Sequence, residues 1–87
     1  MILAFRTKPG PLVRAVAQVV LEYLQAHPQA GDSAEGVSAW WLGTSRRGMR
    51  VATVVEALEA LVARGTVTRE TTPAGETVYR ASRRPVN

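Results

Sequence analysis

The sequence predicts a mainly helical α+β domain in which a three-helix bundle is followed by a β-hairpin. Three observations support this prediction: two long segments with helical spacing of apolar residues, a shorter segment between them with helix start and stop signals, and extended patterning after Gly65. At 87 residues the chain is expected to form one domain, 1–87. It has no cysteine and one histidine, so we expect no structural metal site and stability from packing alone.

The first helix is predicted over residues 11–27, after an N-terminal extension, 1–10, that ends in a Pro-Gly pair. Its apolar residues cover well over half of the circumference, which indicates a helix that is covered on two sides. His27 should end it, because the residue before a proline is disfavoured in the helical region. In the extension, Ile2, Leu3 and Phe5 either form a strand on the sheet or cover the first helix of a second copy, which would make a homodimer.

The second helix is predicted over residues 33–42. Asp32 is the expected N-cap, since Glu35 follows three residues later as in a capping box, and Gly43 is the expected C-terminal cap. The apolar spacing places at least one of Trp40 and Trp41 in the core. Either both indoles fill the core, or the second lies partly exposed against a nucleic-acid backbone or a protein partner.

The third helix, residues 50–64, has the strongest pattern in the chain. Its apolar residues follow helical spacing without a break, and Gly65 ends it; they are Val51, Val54, Val55, Leu58, Leu61 and Val62. The short glycine-containing turn before it predicts a helix-turn-helix. The extended pattern of residues 66–81 then predicts the hairpin, with a turn at Thr72–Gly75. Residues 82–87 are expected to form a basic tail.

Charge and composition restrict the class of function. The formal net charge of +4 and the sequence pI near 10.7 favour a polyanionic partner. No apolar run approaches the roughly 20 residues that a bilayer requires, and Met1–Phe5 lacks the length and flanking charge of a secretory signal, so a cytoplasmic protein without membrane contact is expected. With His27 alone at a helix end and no glycine-rich phosphate loop, we expect no catalytic residue, cofactor or enzymatic activity.

Residues 53–67, TVVEALEALVARGTV, resemble the recognition helix and first wing strand of bacterial winged-helix transcriptional regulators. In both, a Thr-Val pair opens the helix, leucines follow four and seven residues after the valine, and glycine leads into the wing. The combination of His27-Pro28, Glu35-Gly36-Val37 and Trp40-Trp41-Leu42 also resembles small uncharacterised bacterial winged-helix proteins. The first resemblance implies a third helix in the DNA major groove, with the hairpin loop beside it on the backbone or minor groove.

Four arginines and two further residues of the third helix are the candidate contacts to double-stranded DNA. Arg46, Arg47 and Arg50 stand at the start of the third helix, where backbone N–H groups already attract phosphate. Thr53 and Glu56 would meet the groove, and Arg80 would extend the basic stripe beyond the wing. Because the exposed face lacks the Arg, Lys, Asn or Gln that read bases, we expect a regulator that contacts phosphates with limited base readout.

A second interpretation is a winged-helix interaction module that does not bind DNA. The small and flexible side chains Met49, Ala52, Ala60 and Ala63 suit close packing against a protein better than base reading. In both interpretations the tryptophans anchor the end of the second helix, so that the following arginines are presented in a fixed position.

Overall fold

The computed structural model describes residues 10–43 and 49–82. Within these ranges the chain is mainly helical, with three helical segments and one three-stranded antiparallel sheet. The elements in chain order are α1 (Pro11–Ala26), β1 (Gly31–Asp32), α2 (Ala34–Gly36) continued by a π-helix (Val37–Trp41), α3 (Val51–Ala63), β2 (Val67–Thr71) and β3 (Thr77–Ala81). The strand predicted in the N-terminal extension and most of the basic tail fall in residues 1–9 and 83–87, outside the described residues.

Helix α1 forms where the apolar pattern predicts it. Pro11 occupies its first turn, and His27 is its C-cap, with its N–H donating to the carbonyl of Tyr23 at 2.8 Å. Val16, Val20 and Leu24 are buried along one side. The helix packs against both α3 and the π-helix, which explains why its apolar surface is so wide.

The second helix differs from the prediction at both its start and its interior. Its N-cap is Ser33 and not Asp32: the Ser33 hydroxyl accepts the Gly36 N–H at 3.1 Å. Asp32 belongs to β1 and its carboxylate accepts the Ser33 N–H at 2.8 Å, so the predicted Asp32–Glu35 capping box is wrong. The π-helix was not predicted; its wider turn buries Val37 and Trp41 on one side.

Helix α3 buries Val54, Ala57, Leu58 and Leu61. Three of these residues belong to the predicted stripe, whereas the other valines of that stripe are half-buried at its edges. The helix ends in a Schellman motif, because the Thr66 N–H donates to the carbonyl of Leu61 and the Gly65 N–H to that of Val62. Gly65 takes a φ of +82°, a backbone conformation that glycine adopts without steric cost.

The hairpin of β2 and β3 forms within one residue of its predicted ends. The Gly75 N–H donates to the Thr72 carbonyl at 2.8 Å and Gly75 has a φ of +88°, as in a type I turn closed by a glycine bulge. The sheet also contains β1, which the sequence prediction treated as loop. β1 pairs with β3, so β3 is the central strand and the order is β1-β3-β2.

One hydrophobic core joins the three helical segments to β2 and β3. Its most completely buried large side chains come from every helical segment and from β2; they are Leu58, Leu61, Val16, Val20, Val37, Val54 and Val67. Tyr79 of β3 closes the core from the sheet. No helix in residues 10–43 or 49–82 is long and apolar enough to cross a membrane.

Candidate nucleic-acid interface

The start of α3 is the centre of the predicted interface. Arg50 is its N-cap residue, with an exposed side chain and an extended backbone that leads into the first helical turn. No acidic residue stands in that turn. Arg46 and Arg47 precede Arg50 by four and three residues in the chain and lie outside the described residues. The first N–H groups of a helix lack intrahelical acceptors and attract anions, so Arg50 adds a positive charge where the backbone already favours phosphate.

A buried hydrogen bond connects this helix start to the second helical segment. The Ser38 hydroxyl, which is buried in the π-helix, donates to the Met49 carbonyl at 2.8 Å. Met49 itself packs against the core next to Arg50. Packing and a hydrogen bond therefore both fix Met49, the residue before Arg50, against the second helical segment.

The two tryptophans have different environments. Trp41 is 5% exposed and stacks on Tyr23 of α1, with ring centroids 4.7 Å apart and planes 16° from parallel. Trp40 is 74% exposed. The structure therefore buries one indole and leaves the other on the surface, and the exposed one is Trp40, the first of the pair, six residues before Arg46.

Thr53 and Glu56 lie one turn apart on α3, beyond Arg50. Thr53 is half-buried, and its N–H donates to the Arg50 carbonyl at 3.0 Å. Glu56 is exposed. The structure thus brings Arg50, Thr53 and Glu56 to the first half of one helix, and the only charged side chain that follows Arg50 there is acidic.

Arg80 does not join this group of residues. It pairs in register with Gly31 and Thr68, and its guanidinium lies over the Gly31 backbone. Its Nε approaches the Glu70 carboxylate at 3.4 Å. Because Tyr79 points to the core and successive strand residues point to opposite faces, Arg80 lies on the outer face of the sheet, away from α3.

A polar cluster that the sequence prediction missed ties α3 to the sheet. The Glu59 carboxylate accepts hydrogen bonds from Arg69 and, at 2.8 Å, from the Tyr79 hydroxyl. Arg69 and Tyr79 are register partners in the hairpin, so both reach the same glutamate. The register could have been inferred from the Thr72–Gly75 turn, but nothing in the sequence indicates which residue of α3 lies opposite this pair.

The pKa shifts in this cluster have identifiable causes. The hydrogen bond from Arg69 lowers the pKa of Glu59, partial burial opposes that shift, and the hydrogen bond from Tyr79 adds to it. The same ion pair raises the pKa of Arg69. Burial, followed by the hydrogen bond to Glu59, raises the pKa of the Tyr79 hydroxyl. The cluster therefore favours an ionised glutamate beside a neutral tyrosine.

The residues proposed as a protein-binding face do not form one continuous surface. Met49 is half-buried and packs against the core. Ala52 is exposed near the start of α3, whereas Ala60 and Ala63 line a groove between α3 and α1. Helical spacing alone predicted one stripe, but only its C-terminal part adjoins α1, where Ala60 is half-buried and Ala63 exposed.

Positive charge is unevenly distributed along the chain. All seven acidic residues lie in the described ranges, together with five of the eleven Lys and Arg, which gives this part a formal side-chain charge of −2. The other six basic residues raise the whole chain to +4; they are Arg6, Lys8, Arg46, Arg47, Arg83 and Arg84. The excess of positive charge that attracts a polyanion therefore comes from residues 1–9, 44–48 and 83–87, and Arg50 adjoins the second of these segments.

The described ranges contain no group of three or more His, Cys, Asp or Glu side chains that could hold a metal ion.

No family model matches the chain, and no curated protein or solved structure matches it significantly. Its function has to be inferred from the fold and from the placement of these charges.

Proposed function

We propose that this chain is a winged-helix protein that binds double-stranded DNA mainly through phosphate contacts and acts as a small transcriptional regulator. The order of elements supports a winged helix, because a helical pair that ends in α3 is followed directly by the hairpin β2–β3. In this proposal α3 lies in or along the major groove, and the hairpin turn lies beside it.

The observation that carries the proposal is the position of Arg50. It is exposed at the N-terminus of α3, three residues after Arg47 in the chain, and the first turn of the helix carries no acid. Guanidinium groups form two parallel hydrogen bonds to a phosphate, and the helix N-terminus favours the same ligand. These three arginines are the proposed phosphate contacts.

Base readout is limited in this proposal. The exposed residues of α3 after Arg50 include Ala52 and Glu56, with half-buried Thr53 between them. An alanine or a threonine methyl can touch a thymine methyl and a glutamate can accept from cytosine, but the bidentate donors that distinguish guanine and adenine are missing from this part of the helix. Arg80 is left out of the proposed contacts because it lies on the outer face of the sheet beside Glu70.

Fluorescence anisotropy with labelled duplexes tests the proposal. The double variant Arg46→Ala, Arg47→Ala should weaken binding by about tenfold or more, and equally for two unrelated duplex sequences, because it removes two phosphate contacts and no base contact. The matched control is Arg14→Ala, Arg64→Ala, which removes the same charge from exposed positions on α1 and after α3 and should weaken binding much less. Equal losses in the two variants would contradict a contact at the turn.

One observation favours a second candidate, a winged-helix module that binds a protein. Trp40 is exposed, and its neighbour Trp41 is buried and stacks on Tyr23. Exposed tryptophans at rigid positions are common anchors of protein interfaces. For this candidate, Trp40→Ser should abolish partner binding while leaving duplex binding unchanged. A tryptophan that serves DNA binding would instead lower the duplex affinity when it is replaced.

A further inference from the structure

An open groove runs between α1 and the C-terminal half of α3. Its volume is about 610 Å³, and its floor is apolar, formed by residues such as Val13, Ala17, Leu21 and Ala60. Val13, Ala17 and Leu21 are half-buried at the edge of the core. The groove lies on helices rather than on the turn before α3, so it is separate from the proposed phosphate contacts.

The groove has basic borders. Arg14 of α1 and Arg64 at the end of α3 line it, both with exposed side chains. Gln18 is the remaining polar side chain of the lining, and no carboxylate belongs to it. Glu22, one turn further along α1, accepts a hydrogen bond from Gln18 and is not part of the lining. The described part of the chain is acidic as a whole, so this groove is a local exception in charge.

The small residues of the floor determine what shape fits. Ala17 on one helix and Ala60 and Ala63 on the other leave room for the backbone of a third helix to approach closely. An occupant that buries the apolar floor needs an apolar stripe of its own, and the exposed arginines at the borders favour negative charge beside that stripe.

We propose that this groove binds an amphipathic helix of a partner protein, with a narrow apolar stripe flanked by Asp or Glu. A second copy of the chain fits less well, because it would place its own Arg14 and Arg64 near the same arginines. The N-terminal segment of the chain fits less well for the same reason, since it carries Arg6 and Lys8 and no acid. The proposal is independent of DNA binding.

A peptide selection tests both the occupant and its charge. A displayed library of helical peptides of about 14 residues, random in sequence, is selected on the full-length protein. The expected winners have apolar residues at i, i+3, i+4 and i+7, and net negative charge on the positions beside them. Enrichment of neutral or basic peptides, or no enrichment at all, would overturn the proposal.

Paired variants locate the binding site of the selected peptides. Ala60→Glu places a carboxylate in the apolar floor and should weaken peptide binding by at least about tenfold. Ala52→Glu makes the same change on an exposed part of α3 outside the groove and should leave binding unchanged. Circular dichroism of both variants checks that the fold is intact. If the two variants bind equally, the peptides do not occupy this groove.

Charge reversal separates this site from the DNA contacts. The double variant Arg14→Glu, Arg64→Glu should lose acidic peptides and, in a second selection, gain basic ones, whereas Arg50→Glu should retain the acidic peptides and lose duplex DNA. Failure of the peptide arm alone would remove the groove proposal, and failure of the DNA arm alone would remove the proposed function. Tighter peptide binding after deletion of residues 1–8 would show that the chain's own N-terminus occupies the groove, and would overturn the proposal of a partner helix.

Discussion

Two adjacent tryptophans have opposite roles at the level of single residues. Trp41 fills the core and stacks on Tyr23, whereas most of the Trp40 surface is exposed. The π-helix is the physical reason, since its wide turn lets Val37 and Trp41 share the buried side and leaves the intervening Trp40 outside. An apolar spacing rule based on 3.6 residues per turn could predict that one indole is buried, but it could not assign which one.

This difference predicts unequal stability effects. Trp41→Ala should cost about 3–5 kcal/mol, because it removes a large buried side chain and leaves a cavity. Trp40→Ala removes no core contact and should change the free energy of unfolding by less than about 0.5 kcal/mol. Urea unfolding followed by far-UV circular dichroism measures both values. Similar costs for the two substitutions would show that the assignment of core and surface indole is wrong.

The single acidic residue in the first half of α3 makes a sharp test of the proposed DNA orientation. Glu56 is exposed beyond Arg50, so a phosphate or base edge near this face meets a negative charge. Glu56→Gln should therefore tighten duplex binding by about three- to tenfold at fixed salt. Glu22→Gln removes the same charge from an exposed position on α1 and serves as control. An equal gain in both variants would indicate a net-charge effect and not contact with α3.

At the level of elements, the polar cluster of Glu59, Arg69 and Tyr79 links α3 to the hairpin. Arg69 lowers the pKa of Glu59, so the folded carboxyl has a lower pKa than the unfolded one. Its contribution to stability is then present above the unfolded pKa, about 4.3, and is lost as the pH falls through the folded value. The contribution is small, because the Glu59 side chain is 38% exposed and solvent screens the pair.

We expect the difference in melting temperature between wild type and Glu59→Gln to depend on pH. The variant should melt at a lower temperature than wild type at pH 7, and the two melting temperatures should converge as the pH falls through the folded pKa of Glu59, below which both carry an uncharged group at this position. The control is Glu76→Gln, which removes one carboxylate from an exposed residue at the hairpin turn, outside this cluster. A difference that stays constant over the whole acid titration would contradict an ionised Glu59 as its origin.

Tyr79 in the same cluster has the opposite pH dependence. Burial raises the pKa of its hydroxyl above the unfolded value of about 10, so the fold favours the neutral form. This contribution is complete below the unfolded pKa and is lost as the pH rises through the folded value.

The elements differ in how far the sequence could predict them. α1, α3 and the hairpin depend on repeated local signals, which are the helical apolar spacing, the glycine at the end of α3 and the turn residues Thr72–Gly75, and they form within about a residue of the predicted ends. β1 has only two residues and exists because it pairs with β3, which is a tertiary effect. Because that pairing places Asp32 in a strand, the helix cap is Ser33. Both residue types cap helices well, so the sequence alone could not choose between them.

The candidate site was less predictable than the fold. The exposure of Arg50 and Glu56 follows from helical periodicity and the glycine before the turn. The position of Arg80 depends on strand parity and on Glu70 across the hairpin, and the groove depends on how α1 crosses α3. The crossing of α1 and α3 is not encoded in a local pattern. The face of Arg80 could have been inferred from the hairpin register, but the sequence prediction considered only its charge and its position near the wing.

For the whole molecule, the distribution of charge determines how it can bind DNA. The described residues are slightly acidic, while six basic residues lie in the terminal segments and in the turn before α3. In the proposed function, duplex binding depends on phosphate contacts from these segments and from Arg50, with counterion release as the driving force. This arrangement predicts affinity that depends strongly on salt and weakly on sequence.

The salt dependence of duplex binding tests this central claim most directly. The equilibrium constant is measured by fluorescence anisotropy on two unrelated duplexes over a series of salt concentrations. For about six to eight phosphate contacts, the account predicts a slope of about −5 to −7 for log K against log salt, with the same value for both duplexes. No binding at low salt, or a slope near zero, would contradict it.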